Sequence, residues 1–542
     1  MEQSVTWSRR HVAVLALTIA IALLRVASTH RVFSATIDEQ AHIASGYDWW
    51  DGTYTTDPTH PPLARIFFGL PLRILDIPAP KSEHFASRGN ELLHHEERYR
   101  RNLSWPRRAN LLFLAASILG VALWAARLFG PTTACLAAIL FSLLPPILAH
   151  AGVATTDLAV AAALPFVMLA MDSWLHGVRR QASGTDRPGE DSQRPDARRQ
   201  ELKHTVILGL TVGLGLLTKF SFAPFCAIVC LVLVAMQWRV LRRAHLLVFA
   251  AVLSLAVVWA AYRFQFAPMS KVDDKAHPTF TRLAPSVLRF SDEVPIPAPG
   301  YFAGLAAVAL HDREGHYAYL LGECRQLGWW YYFPFALFVK TPLAFLILAL
   351  WGARSRIPLV IFLALLAYCM TASINIGIRH VLPLYAPLAL LAALGLTHIW
   401  RTTRGFDFGR VAAAGLGAWL IVAGVRAHPD YLAYFNETAS TYPQRVLVDS
   451  NLDWGQDLKR LSGYARDRGI ERIGVLIATT DDISRFGLVA YGLEPWIRPQ
   501  GWIAVSHTAL AYNNCQSEGY RWLRNYQPVK RIGRGIEVYW IP

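Results

Sequence analysis

Hydrophobic positions in this chain fall in long runs, separated by short clusters of arginine and lysine. The runs lie near residues 11–28, 109–127, 132–150, 157–175, 204–219, 221–237, 245–262, 334–352, 357–373, 380–399 and 410–425. As helices, each is long enough, or nearly so, to cross a hydrocarbon core about 30 Å thick. The pattern therefore predicts about eleven spans. Basic clusters at Arg127, 179–203, 239–243, 354–356 and 401–410 each follow an even-numbered run, which puts those ends on the cytoplasmic side. The N-terminus is then cytoplasmic. An odd number of spans places the tail, 426–542, on the opposite face with two long loops at about 29–106 and 263–333. Arg9, Arg10 and His11 precede the first run without a convincing small-residue cleavage site, so that run reads as a retained span.

Two segments break the apolar pattern. The cytoplasmic insert at about 177–203 mixes Arg, Asp, Gln, Ser, Gly and Pro, buries too little to offset its ordering entropy, and is expected to be disordered. The tail alternates strand-like stretches at 445–448, 472–477, 501–506 and 536–541 with helix-like stretches at 456–468 and 518–526. The expected fold class is a polytopic α-helical membrane protein over residues 1–425, with a small C-terminal α/β periplasmic domain over 426–542. No internal repeat of the kind that builds many transporters is visible.

Composition agrees with the pattern: of 542 residues 54% are hydrophobic, and the mean hydropathy is +0.28. The net charge of +15 comes from clusters between runs rather than from one polar face, so it signals topology and not nucleic acid. Cys135, Cys226, Cys230, Cys324, Cys369 and Cys515 form no CxxC pair and write no zinc or redox motif, with a Cys324–Cys515 bridge left open.

Charge at membrane depth is expensive, so charged residues that border the runs are the functional candidates. They are Asp38 and Glu39 after the first run, Asp157 between the third and fourth, Lys219 between the fifth and sixth, Lys340 in the eighth, and Arg379 with His380 at the tenth. All fall on the outer face. An acceptor hydroxyl needs a carboxylate within about 3 Å to take its proton, and a phosphate leaving group needs cations to hold its charge. Acids and cations gathered on one side suit sugar transfer from a lipid phosphate, with Asp38 as base. Each residue also has a plainer reading: a solvated pair for Asp38-Glu39, an N-cap for Asp157, snorkelling span ends for Lys219 and Arg379-His380.

Local sequences narrow the choice. Ile37-Asp38-Glu39-Gln40-Ala41-His42, followed by Asp57-Pro58-Thr59-His60-Pro61-Pro62-Leu63-Ala64-Arg65, resembles the first outer loop of the protein O-mannosyltransferase family. Ala154-Thr155-Thr156-Asp157 resembles the second acidic motif of such enzymes, and Gly215-Leu216-Leu217-Thr218-Lys219 their Thr-Lys segment. The later half is most similar to bacterial members, relatives of the transferases that add aminoarabinose to lipid A. It carries Gly328-Trp329-Trp330-Tyr331-Tyr332-Phe333-Pro334, Lys340-Thr341-Pro342, Asn375-Ile376-Gly377-Ile378-Arg379-His380-Val381-Leu382-Pro383 and Asp449-Ser450-Asn451-Leu452-Asp453-Trp454-Gly455-Gln456-Asp457. Both groups belong to the C-type glycosyltransferase (GT-C) superfamily.

The resemblance implies an inverting glycosyltransferase of the bacterial inner membrane. It would move a hexosyl or pentosyl group from a polyprenyl-phosphate-linked donor to a lipid, glycan or protein acceptor on the periplasmic face. By carry-over Asp38 is the general base, Glu39 and Asp157 supporting acids, and Lys219, Arg379 and His380 donor-phosphate contacts. His60 would shape the loop, while Asp453 and Trp454 could line an acceptor groove or be plain domain structure. Segment 263–333 is too short for the trefoil domain of eukaryotic protein mannosyltransferases, which weakens protein as the acceptor. The motifs name no certain cofactor, and Glu39, His42 and His60 could collect a divalent cation. Two rival classes stay open, a lipid or glycan transporter and a non-catalytic membrane scaffold.

Overall fold

The structure is a computed structural model, which describes residues 6–54, 56–183, 194–272, 293–402 and 408–542. The first apolar run forms α1 (Arg9–Thr29), capped by Ser8, whose hydroxyl accepts the His11 backbone N–H. The long segment after α1 is itself helical: α2 (Glu39–Trp49), α3 (Leu63–Ile74) and α4 (Phe85–His94). Then follow α5 (Tyr99–Phe129), α6 (Pro131–Ser142), α7 (Pro145–Ala151), α8 (Asp157–Ser183), α9 (Arg194–Leu216), α10 (Phe222–Ala235) and α11 (Ala244–Ala261). The segment between α11 and the next apolar helix holds a short antiparallel pair, β1 (Phe266–Ala267) with β2 (Ile296–Pro297), then α12 (Pro299–Glu314) and the hairpin β3 (Ala318–Leu320) with β4 (Glu323–Arg325). The chain re-enters the apolar layer through α13 (Tyr332–Lys340), α14 (Leu343–Trp351), α15 (Arg356–Cys369), α16 (Tyr385–Thr402) and α17 (Phe408–Arg426).

All eleven apolar runs are helical. Among the described residues six helices are long and apolar enough to cross a membrane, and up to eight if each bent pair counts as one span. The pair α6–α7 bends by 69° and α13–α14 by 111°, each at a proline-marked break. The helices α10 and α15 have 14 residues each, or about 21 Å at the α-helical rise, short of a full core. The helix α9 begins on a polar stretch at Arg194 and is apolar only toward its end. Likewise the insert expected to be disordered over 177–203 is helical on both flanks, in α8 to Ser183 and α9 from Arg194, and its centre, 184–193, lies outside the described residues.

The tail adds α18 (Leu458–Asp467), α19 (His507–Gln516) and five strands: β5 (Ile473–Leu476), β6 (Ala490–Gly492), β7 (Gly501–Ser506), β8 (Lys530–Ile532) and β9 (Ile536–Ile541). Their order is β6-β5-β7-β9-β8, with β5 parallel to β6 and β7, and β9 antiparallel to β7 and β8. Alternate residues face two small cores, one with Leu458, Leu461 and Val538 and one with Ile503, Val505 and Tyr539. The stretch expected as a strand at 445–448 is irregular, because Leu447 packs into the helical core instead of a sheet. The three-residue strands β6 and β8 and the helix α19 are too short or too weakly patterned to be read from sequence, and 518–526 holds only a 3-10 turn, Arg521–Asn525. A disulfide joins Cys324 on β4 to Cys515 on α19, 191 residues apart, and ties the β3–β4 hairpin to the tail.

In the first loop, α2 crosses α3 through glycines. A Cβ at Gly69 would stand 2.1 Å from the Gly46 carbonyl carbon, and one at Gly46 only 1.8 Å from the Arg65 oxygen. Both clashes are with backbone, so no side-chain rotation relieves them. Gly69→Ala should lower stability by about 1–3 kcal/mol, as overpacking does, and part the two helices; an unchanged thermal midpoint in detergent would contradict this contact.

Candidate active site

Asp38 stands at the N-cap of α2, at the end of an extended segment that the tail holds in place. Ser34 and Ile37 donate backbone N–H groups to the carbonyls of Gln456 and Trp454, each at 3.0 Å. The Ser34 hydroxyl donates to the Gly455 carbonyl at 3.0 Å and accepts the Leu458 N–H at 3.0 Å. On the other side Thr480 Oγ1 bonds the Ile37 carbonyl at 2.8 Å and Gln40 Oε1 at 3.0 Å. The loop that carries Asp38 is thus gripped from both ends by the chain's last hundred residues.

Arg379 reaches the same point from the start of the 378–400 helix. Its Nη1 donates to Asp38 Oδ2 and lies 4.0 Å from Asp157 Oδ2, and its guanidinium stacks over the Trp454 ring at 4.3 Å. Lys219 donates to the other Asp157 oxygen at 2.6 Å. The four charged groups therefore form one chain, Asp38–Arg379–Asp157–Lys219. What fixes it is Asn451. Its side chain accepts the Ile378 N–H at 3.0 Å and donates to Tyr332 Oη at 3.0 Å, and its carbonyl accepts Lys340 Nζ at 2.5 Å. Lys340, which also donates to the Leu432 carbonyl at 2.8 Å, is thereby a structural clamp buried at 1% exposure.

The acids differ sharply in access. The Asp38 side chain is 31% exposed, Asp157 2% and Glu39 0%. Glu39 is saturated: Oε1 accepts Arg107 Nε at 2.8 Å and the Ala154 N–H at 2.7 Å, and Oε2 accepts Arg107 Nη2 at 2.6 Å and the Thr36 N–H at 2.8 Å. It has no face for a ligand, so its place is that of a positioning group and not of a supporting acid. Asp453 and Trp454 do not line a groove either. Both are buried, Asp453 accepts the Thr508 N–H at 3.2 Å, and Trp454 is the platform under Arg379. His380 keeps a buried Nε2 with no hydrogen-bond partner.

Among the described residues the cluster with metal-ligand spacing is His42, Asp57 and His60, with ligand atoms within 4.8 Å of one another. Asp57 takes the place expected of Glu39, which Arg107 and Ala154 hold elsewhere. Arg65 donates to His42 Nδ1 at 3.1 Å and pairs with the Asp57 carboxylate. Burial and then Arg65 push the His42 ring down to about 4, and although burial opposes it, Arg65 holds the Asp57 carboxyl below its ordinary range. The positive charge this cluster needs is already supplied by a guanidinium, and a resident divalent cation does not fit without expelling it. His60 lies beside His42, with 4.8 Å between ring centroids. Arg65, Arg107 and Asp449 were not singled out in the sequence, although the rule that flags charge beside apolar runs applies to Arg107 as well.

Two outcomes follow. Arg107→Met strands the Glu39 carboxylate in a dry interior and should cost about 3–5 kcal/mol, the range for breaking a buried pair, read as a fall in thermal midpoint or in yield of folded protein. In the tail, burial pushes the Asp457 carboxyl up from 3.8 to about 7 against the pull of Arg460, and its Oδ2 has no hydrogen-bond partner. A carboxyl raised on folding contributes stability in full below about pH 4, and that contribution disappears as pH rises through about 7. The parent should lose thermal stability between pH 5 and 8 as set by that value, and Asp457→Asn should flatten the profile; equal slopes in both would exclude this origin.

Residues 15–272, a little under half of the chain, match the family model described as Dolichyl-phosphate-mannose-protein mannosyltransferase. No curated protein matches the chain. Among solved structures, ArnT from Cupriavidus metallidurans in the apo state superposes with a TM-score of 0.47 at 14% identity, over 97% of this chain and 98% of that one. The archaeal oligosaccharyltransferase AglB from Archaeoglobus fulgidus, in complex with an inhibitory peptide and a dolichol-phosphate, gives 0.44 at 14% identity, over 96% of this chain and 72% of that one. The family match covers Asp38, Glu39, Asp157 and Lys219.

Proposed function

We propose that this protein transfers a sugar, with inversion, from a polyprenyl-phosphate donor to an acceptor hydroxyl at the outer face of a bacterial inner membrane. The observation that carries this reading is the openness of Asp38 beside the Arg379 guanidinium: Oδ2 is held by Arg379, while Oδ1 accepts no hydrogen bond among the described residues and belongs to a side chain 31% exposed. A fixed carboxylate with one free oxygen is suited to take a proton. The acceptor oxygen bonds to the sugar's anomeric carbon as the bond from that carbon to the phosphate oxygen breaks. The hydroxyl proton passes to Asp38, and the electron pair leaves with the polyprenyl phosphate. Arg379 and Lys219 hold the leaving charge, Asp157 keeps both oriented, and the unpartnered His380 Nε2 is available as a further contact.

The N-terminus is cytoplasmic in this reading, and the two outer loops and the tail share the periplasmic side. The Cys324–Cys515 bridge supports that arrangement, since it ties one outer loop to the tail and disulfides persist in oxidising compartments. The family description supports a lipid-phosphate sugar as donor; the acceptor class is a lipid, glycan or protein hydroxyl.

In proteoliposomes given radiolabelled polyprenyl-phosphate mannose and membrane extract as acceptor, Asp38→Asn should reduce transfer by about 10²- to 10⁴-fold, as loss of a general base does, with thermal unfolding unchanged. A folded Asp38→Asn protein that transfers at the parent's rate would remove Asp38 from this role.

A further inference from the structure

Arg379 follows a short irregular segment, 373–378, that has no helix or strand of its own to fix it and is held from two sides. On one side lies the chain around the β3–β4 hairpin. The Ser373 N–H donates to Asp312 Oδ1 at 3.0 Å, Ile374 forms a backbone bridge with His316, and Asn375 Oδ1 accepts the Trp329 N–H at 2.7 Å. On the other side lies the turn Asp449–Asn451. There Ser450 Oγ donates to the Ile376 carbonyl at 2.7 Å, and Asn451 Oδ1 accepts the Ile378 N–H at 3.0 Å. Both approaches are close enough to need glycine: a Cβ on Gly377 would stand 2.0 Å from Ser450 Oγ, and one on Gly328 2.2 Å from Asn375 Oδ1.

The turn is carried by α19. The Asp449 N–H donates to Thr508 Oγ1 at 2.9 Å, and Tyr512 Oη donates to Asp449 Oδ2 at 3.2 Å. The Tyr512 ring also lies 5.9 Å from that of Tyr317, just ahead of β3, and the Leu321 N–H at the hairpin tip donates to the Val446 carbonyl at 3.0 Å. Three residues beyond Tyr512, Cys515 is bonded to Cys324 on β4. Hairpin, segment 373–378, turn and α19 therefore form a closed ring around the approach to Arg379. We propose that the Cys324–Cys515 disulfide is a positioning cross-link of the reactive site: by closing this ring it holds the segment that presents Arg379 to Asp38. The inference rests on the reading of Arg379 as a holder of the leaving phosphate. With the bond broken, hairpin and α19 meet only through single hydrogen bonds and a ring contact, each weak by itself, and the two cysteines are 191 residues apart along the chain.

Both cysteines are partly exposed and the other four are free, so a water-soluble dithiol acts on this bond alone. Dithiothreitol supplies two electrons and two protons; the S–S bond breaks to two thiols and the dithiol closes to a cyclic disulfide. On the full chain in detergent micelles, without substrate, amide hydrogen exchange read by mass spectrometry should show a peptide spanning 373–379 exchanging about tenfold faster after reduction, the sign of a local opening. Peptides of α5 should keep their rate. In proteoliposomes given polyprenyl-phosphate mannose, reduction should raise the donor KM by about 10- to 100-fold, the scale of a displaced positioning group. Reoxidation by oxidised glutathione, which takes up the two electrons, should restore both readings. The double variant Cys324→Ser, Cys515→Ser should match the reduced protein and ignore the reductant. Exchange at 373–379 unchanged by reduction overturns the proposal. So does a fall in kcat at constant KM that tracks loss of folded protein, because the bond is then a staple of overall stability. If exchange responds as stated while the oxidised protein transfers no sugar, the cross-link stands and the transferase reading fails.

Discussion

The carboxylate of Glu39 is the group on which the geometry of the site depends, although it faces no ligand. It joins three pieces of chain that are far apart in sequence: Thr36 in front of α2, Arg107 inside α5, and Ala154 in front of α8. Asp38 is its neighbour on the first piece, and Asp157 lies three residues beyond the third. One buried ion pair thereby sets the distance between the two acids that flank Arg379. Pairs of this kind are tolerated in a dry interior only when every lone pair and proton is used, and here four hydrogen bonds between 2.6 and 2.8 Å use them. Side-chain exposure then divides the labour, because the adjacent Asp38 is left partly open while Glu39 is closed.

Much of this was legible in the sequence. Apolar run length marked the helices, and the cost of charge near the membrane marked Asp38, Asp157, Lys219 and Arg379, which the structure gathers into one chain of contacts. What could not be read was which acid of Asp38-Glu39 is free, since two adjacent residues at a helix start differ only in the partners that distant segments bring. The same holds for Asp453-Trp454, whose composition suits a sugar surface but which the fold turns inward beneath Arg379. Run length along the sequence also does not register the sharp bends at Pro145 and Pro342, where one run becomes two short helices. The strand edges of the tail were missed because three-residue strands carry too little alternation to stand out.

The change in composition near residue 426 suggested a domain boundary there, whereas packing places the transition further on. Tyr431, Phe435, Leu447 and Leu452 belong to the helical core, and a separate core begins with Leu458. The intervening 30 or so residues, which any count of apolar runs assigns to the tail, act as the floor and back wall of the site. Asn451 bonds Ile378, Tyr332 and Lys340, and Trp454 accepts the Ile37 N–H and lies under Arg379, so this one stretch joins motifs that are widely spaced along the chain.

The Ser34–Leu458 hydrogen bond spans 424 residues. Chains emerge from the ribosome N-terminus first, and pairings of such separation close late because of the loop entropy they must overcome. The segment bearing Asp38 is among the earliest parts to be made, yet its grip comes from residues near the opposite end. A truncated or still-growing polypeptide could insert its helices and hold every acid and cation of the first half, but would lack the clasp that aligns them. The alignment of the Asp38 segment thus depends on a contact made 424 residues further along the chain.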